Sequence, residues 1–321
     1  EERKIVFSGD IGNKSKPLIR DPQYISEADY VVMESTYGNR YHKKTTTYVE
    51  SLTRIIQETL DRSGNVVIPA FAVGRTQELL YMIRHIKEHN LVHGHDGFLV
   101  YVDSPLAVEA TQVFTENLLD CYDDETKALV ERGINPIDFK GLKLSVTSDE
   151  SKNINFDMTP KVIISAAGMC DAGRIRHHLK HNLWRPECSI VFAGYQAEGA
   201  LGRVLQDGAP AVKIFGEEID VRAHIETIDG ISGHADRDGL LAWISAFEKQ
   251  PSHVFVVHGN EESCTAFTEA LQNQLRLTAD APYSGSQFDR YKNCWICQTE
   301  PVLLRRRQRP DARPRAFIPD W

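Results

Sequence analysis

What the 321-residue sequence has little of narrows its function first. Cysteine is scarce: the six residues, at positions 121, 170, 188, 264, 294 and 297, are too few and too scattered for a disulfide framework, so a reducing cytoplasm is expected. Only Cys294 and Cys297 form a CxxC pair, and no second pair lies near enough to complete a structural zinc site, so they read as two ordinary thiols. No apolar run approaches the ~20 residues that cross a bilayer. A surplus of positive charge is also missing: 37 Lys and Arg against 45 Asp and Glu leave a formal charge of -8. Bulk attraction to nucleic acid is thereby excluded, while a local basic groove is not. Internal repeats and low-complexity segments are absent, and so are an initiating Met and the apolar stretch of a signal peptide. The chain instead opens Glu1-Glu2-Arg3-Lys4 and enters Ile5-Val6-Phe7 at once, which reads as a piece of something longer. What is present, 41% hydrophobic and 26% charged residues, describes a soluble globular chain of roughly two domains.

Short β-branched runs alternate with helical periodicity through most of the length. Strands are expected at residues 4–7, 30–33, 66–68, 98–102, 161–165 and 189–192, and helices at 45–60, 74–89, from 107, 173–182 and 199–205. Strands separated by helices need crossover connections, which predicts an α/β fold with a mostly parallel sheet flanked by helices and makes residues 45–210 one Rossmann-like domain. Past Asp207-Gly208, closely spaced strands at 212–215 and 219–228 precede a helix at 237–247, a strand at 253–257 and a helix at 262–275. The stretch from Leu304 to Arg315 is a basic, proline-punctuated tail of the solvated kind.

Four polar stations stand at strand ends: Ser8-Gly9-Asp10, Glu34-Ser35-Thr36-Tyr37-Gly38, Ser232-Gly233-His234-Ala235-Asp236 and Val257-His258-Gly259. Singly, a Gly-Asp is an ordinary turn and a strand-end histidine an ordinary structural residue. Jointly, carboxylate and neutral imidazole are zinc ligands, and a histidine positioned by a glutamate transfers protons, so the set suits a metal-dependent hydrolase. In this order the stations resemble the fourth metallo-β-lactamase motif and the A, B and C motifs of the β-CASP nucleases, the group of RNase J and the pre-mRNA 3′-end endonuclease. Further similarity lies in Phe71-Ala72-Val73-Gly74-Arg75-Thr76-Gln77-Glu78, Asp103-Ser104-Pro105-Leu106-Ala107, Gly168-Met169-Cys170-Asp171-Ala172-Gly173-Arg174 and Gly194-Tyr195-Gln196-Ala197, spanning about residues 4 to 275.

The resemblance implies a partial metallo-β-lactamase αββα core from residues 1–40 and 230–280, an inserted β-CASP domain over 41–229 and a C-terminal extension over 281–321. It implies that Asp10 bridges two zinc ions, that His258 closes the shell of the second, and that Glu34 and His234 form a hydrogen-bonded pair beside the scissile phosphate. His258 at the C motif is the mark of the RNA-processing branch, so the expected partner is single-stranded RNA; no membrane is involved, and a homodimer is left open. One departure is plain: the family's His-x-His-x-Asp-His signature, which supplies further zinc ligands, is not in this sequence. His93-Gly94-His95-Asp96 has the wrong order and reads as a polar loop. The expectation is therefore the C-terminal part of a zinc-dependent RNA nuclease, inactive by itself. The rivals are a non-catalytic RNA-binding scaffold of the same fold and a small-molecule hydrolase.

Arg174, Arg176, His177 and Lys180 belong to a basic cluster on the 173–182 helix. The cluster reads either as a phosphate-tracking RNA-binding face or as a solvated helix surface. Asp103-Ser104-Pro105 reads equally as a strand-to-helix turn capped by Ser104.

Overall fold

Val66–Pro69, Lys161–Ser165 and Ser189–Phe192 are buried at every position, as expected of parallel strands covered on both faces. In the computed structural model of the chain, which describes residues 2–42, 48–228 and 232–298, they form the middle of a six-stranded sheet. Its order is His224–Thr227, Ser189–Phe192, Val66–Pro69, Lys161–Ser165, Leu99–Asp103, Leu142–Ser145, and every pairing is parallel. Successive side chains go to opposite faces. Val66 and Ile68 pack with Leu52, Ile56, Leu79 and Ile83 of the helices Tyr48–Asp61 and Arg75–Glu88. Val67, Ile163 and Ile190 pack with Leu179 and Leu205 of the helices Ile175–Asn182 and Leu201–Gln206 on the other side.

A second parallel sheet takes the strands before residue 41 and after residue 231: Ile5–Phe7, Tyr30–Glu34, His253–Val257 and Ala279–Asp280, in that order. Val31, Met33, Val254 and Val256 bury one face beneath the helices Arg237–Ser245 and Glu261–Leu275. On the other face, Tyr30 and Phe255 meet Phe288 and Trp295 of an antiparallel hairpin, Gln287–Asp289 with Cys294–Cys297. All six cysteines are free. Among the described residues no helix is long and apolar enough to cross a membrane.

Several elements depart from the periodicity reading. The single strand expected over 219–228 is two elements: Glu217–Asp220 pairs antiparallel with Ala211–Ile214, while His224–Thr227 joins the edge of the six-stranded sheet. Leu142–Ser145 and the helices Asp124–Glu131 and Ser148–Phe156 carry too few apolar residues to announce themselves. Both helices are nevertheless signed by their caps, Asp123 accepting from the Thr126 amide and Thr147 forming a capping box with Glu150. Ser104 caps the helix Pro105–Glu116 with Pro105 in its first turn. His95 of the His-Gly-His-Asp loop bonds Asp61 at 2.8 Å. The expected helix start at residue 45 and the arginine tail fall outside the described residues.

Candidate metal and phosphodiester site

All strands of the four-stranded sheet run the same way, so the loops after Phe7, Glu34 and Val257 leave from one edge, where parallel α/β sheets bind ligands. Gly259 lets two of these loops touch, since a Cβ there would lie 2.6 Å from Ser35 Oγ. His234 reaches the same edge from across the chain through a bridge with Gly12 and an Ala235 amide that donates to the Ile11 carbonyl at 2.7 Å. Four residues up to 248 positions apart are thereby brought together.

Glu34 is the buried anchor, 1% exposed. Its carboxylate accepts from the Ile11 amide at 2.5 Å and from the Thr36 hydroxyl at 2.6 Å, and faces His234 Nδ1 at 3.0 Å. The carboxylate fixes the proton on Nδ1 and leaves Nε2 as the free nitrogen. Hydrogen bonding to Glu34, with the Glu34 and Asp10 charges, raises the His234 pKa above the usual imidazole value against the opposing effects of burial and Lys16. His258 Nδ1 lies 3.4 Å from Asp10 Oδ1. Asp10, His234 and His258 offer ligand atoms all within 4.8 Å of one another. Asp10 and His258, both exposed, offer a carboxylate oxygen and an imidazole nitrogen of the kind zinc takes, while His234, beside them, has its Nδ1 engaged by Glu34.

Thr36 and His42 belong to this site and were not singled out by the sequence. Thr36 Oγ1 also lies 3.1 Å from the His258 carbonyl, the alternative acceptor for its single proton, which places the A-motif loop against the C-motif loop. His42 Nε2 meets the His234 carbonyl at 3.0 Å, and its amide donates to Asp236 Oδ2. Thr36 stood inside a quoted motif; His42 had no signal, because its contacts are 192 and 194 residues away in sequence.

The carboxyl edge of the six-stranded sheet comes up against this site. Lys16 and Arg75 both pair with Glu78 at 2.7 Å, all three side chains less than a tenth exposed, and Tyr37 meets Tyr195 with ring centroids 6.4 Å apart. The basic cluster begins at this edge with Arg174 and follows the helix Ile175–Asn182 toward the opposite edge, where Asn182 bonds Asn65, and its members have partners of their own. Arg174 donates to Asp103 Oδ1 at 2.7 Å and to the Val146 carbonyl at 2.6 Å. The Arg176 guanidinium and the His177 ring both lie against Phe215, and Lys180 pairs with Glu217 at 2.6 Å. None of these contacts reaches Asp10, Glu34, His234 or His258.

Comparison with known proteins agrees with this architecture. Residues 76–205 match the Beta-Casp domain, and residues 218–282 match the Zn-dependent metallo-hydrolase RNA specificity domain. A ribonuclease of Thermus thermophilus is 38% identical over 273 residues, covering 84% of this chain and 61% of that protein. An RNase J-like protein of Methanocaldococcus jannaschii is 32% identical over 287 residues, covering 88% and 65%. Transcription termination factor FttA of Thermococcus kodakarensis is 33% identical over 259 residues, covering 78% and 39%. The chain thus spans less than two thirds of the length of these relatives. Two adjoining domain matches laid over a parallel sheet and its convergent strand-end site make the chain a member of the β-CASP family of the metallo-β-lactamase fold.

Proposed function

We propose that the protein is a zinc-dependent RNA-processing nuclease that hydrolyses phosphodiester bonds of single-stranded RNA. The observation that carries this reading is the convergence of Asp10, Glu34, His234 and His258 on one sheet edge, with Tyr195, from the side of the six-stranded sheet, against Tyr37. Asp10 and His258 would hold metal, two ions when further ligands join them. Bound zinc supplies positive charge to the phosphate and an activated water for attack. His234 keeps Nε2 for the leaving oxygen and delivers the proton that its raised pKa retains, while Glu34 holds the ring and compensates its charge. Thr36 fixes Glu34 and the His258 loop in one arrangement. The names of the Thermus and Methanocaldococcus relatives support RNA as the substrate. Arg174, Arg176, His177 and Lys180 would track the RNA strand away from the site, sharing their present partners with phosphates. Six free cysteines support a cytoplasmic setting.

His234→Ala in the full-length protein tests the assignment. RNA cleavage should fall by about a hundredfold or more, with bound zinc near the wild-type amount, whereas Asp10→Ala and His258→Ala should release metal. Zinc loss from His234→Ala would make His234 a ligand and remove the proposed acid.

A further inference from the structure

Beside the cluster stands a group of rings and one cation that the hydrolysis itself does not use. Tyr37, buried, sits with its ring centroid 6.4 Å from that of His234 and 6.4 Å from that of Tyr195. Tyr195 follows the strand Ser189–Phe192 on the opposite sheet, is 42% exposed, and makes no hydrogen bond through its hydroxyl among the described residues. Arg40 lies between the rings, its guanidinium carbon 5.0 Å from the Tyr37 centroid and 5.8 Å from the Tyr195 centroid. Its backbone is held on both sides, the amide donating to the Tyr37 carbonyl and the carbonyl accepting from the Arg237 amide. The exposed Arg40 side chain makes no ion pair among the described residues. Phe71 and Val73, exposed at the same sheet edge, extend the apolar floor.

We propose that Tyr195 and Arg40 form a seat on which one nucleobase of the substrate stacks beside the scissile phosphate, so that the site selects RNA whose bases are unpaired. This rests on the nuclease reading above and adds what recognises the strand. A ring face with a planar cation is the surface a base requires and a phosphate does not. Stacking also depends little on salt, which suits a protein whose net charge of -8 gives no bulk attraction. A base inside a duplex reaches the seat only by leaving its stack, so the same two side chains attract single strands and discriminate against duplexes.

The test measures binding of two equally charged oligomers to the full-length protein, a single-stranded RNA and an abasic strand of the same length. Tyr195→Ala should weaken RNA binding about tenfold while leaving the abasic strand bound as by wild type. Tyr195→Phe and Tyr195→Trp should restore RNA binding, and Arg40→Lys, which keeps the charge and loses the plane, should weaken RNA only. Equal losses on both strands, or failure of Phe and Trp to rescue, would reduce Tyr195 to an interdomain strut and overturn the seat. Wild-type protein that binds both strands equally well overturns the seat alone; wild-type protein that binds neither overturns the nuclease reading with it.

Discussion

At the scale of the residue, the pairing of His234 with Glu34 decides what one imidazole does. A bare strand-end histidine loses its proton near neutrality, whereas this one faces a buried carboxylate at 3.0 Å and keeps it to higher pH. In the proposed reaction the protonated form would donate to the leaving oxygen, so the alkaline limb of the pH–rate profile should lie above that of a free imidazole. Stability follows the same sign: the pair stabilises the fold fully below the unfolded pKa, and its contribution is lost as pH rises through the raised folded value. Glu34→Gln keeps an acceptor but removes the charge, so the alkaline limb should move to lower pH and kcat should fall. A limb that stays in place would show that another group carries the proton. The identities of both residues are legible in the sequence as carboxylate and histidine stations. The Thr36 hydroxyl that orients Glu34 is not, since a threonine in a loop has no pattern that marks its partner.

At the scale of the element, Asp103 shows how the β-CASP sheet holds its carboxyl edge. Fully buried, it ends the strand Leu99–Asp103 and accepts from Ser151 of one helix and from His178 of another, with the Arg174 guanidinium on its other oxygen. Burial alone would raise this carboxyl, but the hydrogen bonds from His178 and Ser151 outweigh it and hold the pKa at about 2. A depressed acid contributes stability above its unfolded pKa, and that contribution disappears as pH falls from about 4 to about 2, amounting to about 2 kcal/mol. Urea unfolding across this range should show the loss in the wild type. Asp103→Asn should be less stable at neutral pH and flat through the window; a wild-type curve without slope there would remove the role. The sequence presented Asp103-Ser104-Pro105 as a helix cap, which Ser104 is. Gly173 precedes Arg174 at φ 80°, with Ala166 O only 2.4 Å from any added Cβ, and so turns the chain back over the strand end toward that carboxylate. The strand Leu142–Ser145 was not legible because a half-exposed edge strand carries half the apolar signal of a central one.

At the scale of the whole molecule, the two sheets are joined with their carboxyl edges face to face, and the buried set of Lys16, Glu78 and Arg75 is part of what holds them so. Burial lowers the Lys16 pKa, and the Glu78 carboxylate opposes that loss of charge, so the two domains share one electrostatic unit. On the proposed function, long-range attraction for RNA would have to come from local cations, and the basic helix is the test case. Arg176→Gln with Lys180→Gln should flatten the slope of log binding constant against log salt by about 1 without abolishing binding. Arg174 is left intact because it also pairs with Asp103. An unchanged slope would leave the helix a solvated surface.

Taken alone, the sequence determined the alternation of strands and helices, the parallel sheet and the family likeness, because hydrophobic period, caps and strand-end motifs are local properties of the chain. It also determined which side chains are chemically able to bind zinc. Only the tertiary structure decided that His234 shares one carboxylate with Thr36, that His42 supports its backbone, and that Tyr37, Arg40 and Tyr195 meet across two sheets. Those relations span from 2 to 200 positions of chain. They are fixed by the packing of loops at two sheet edges, a property that no local pattern of residues encodes.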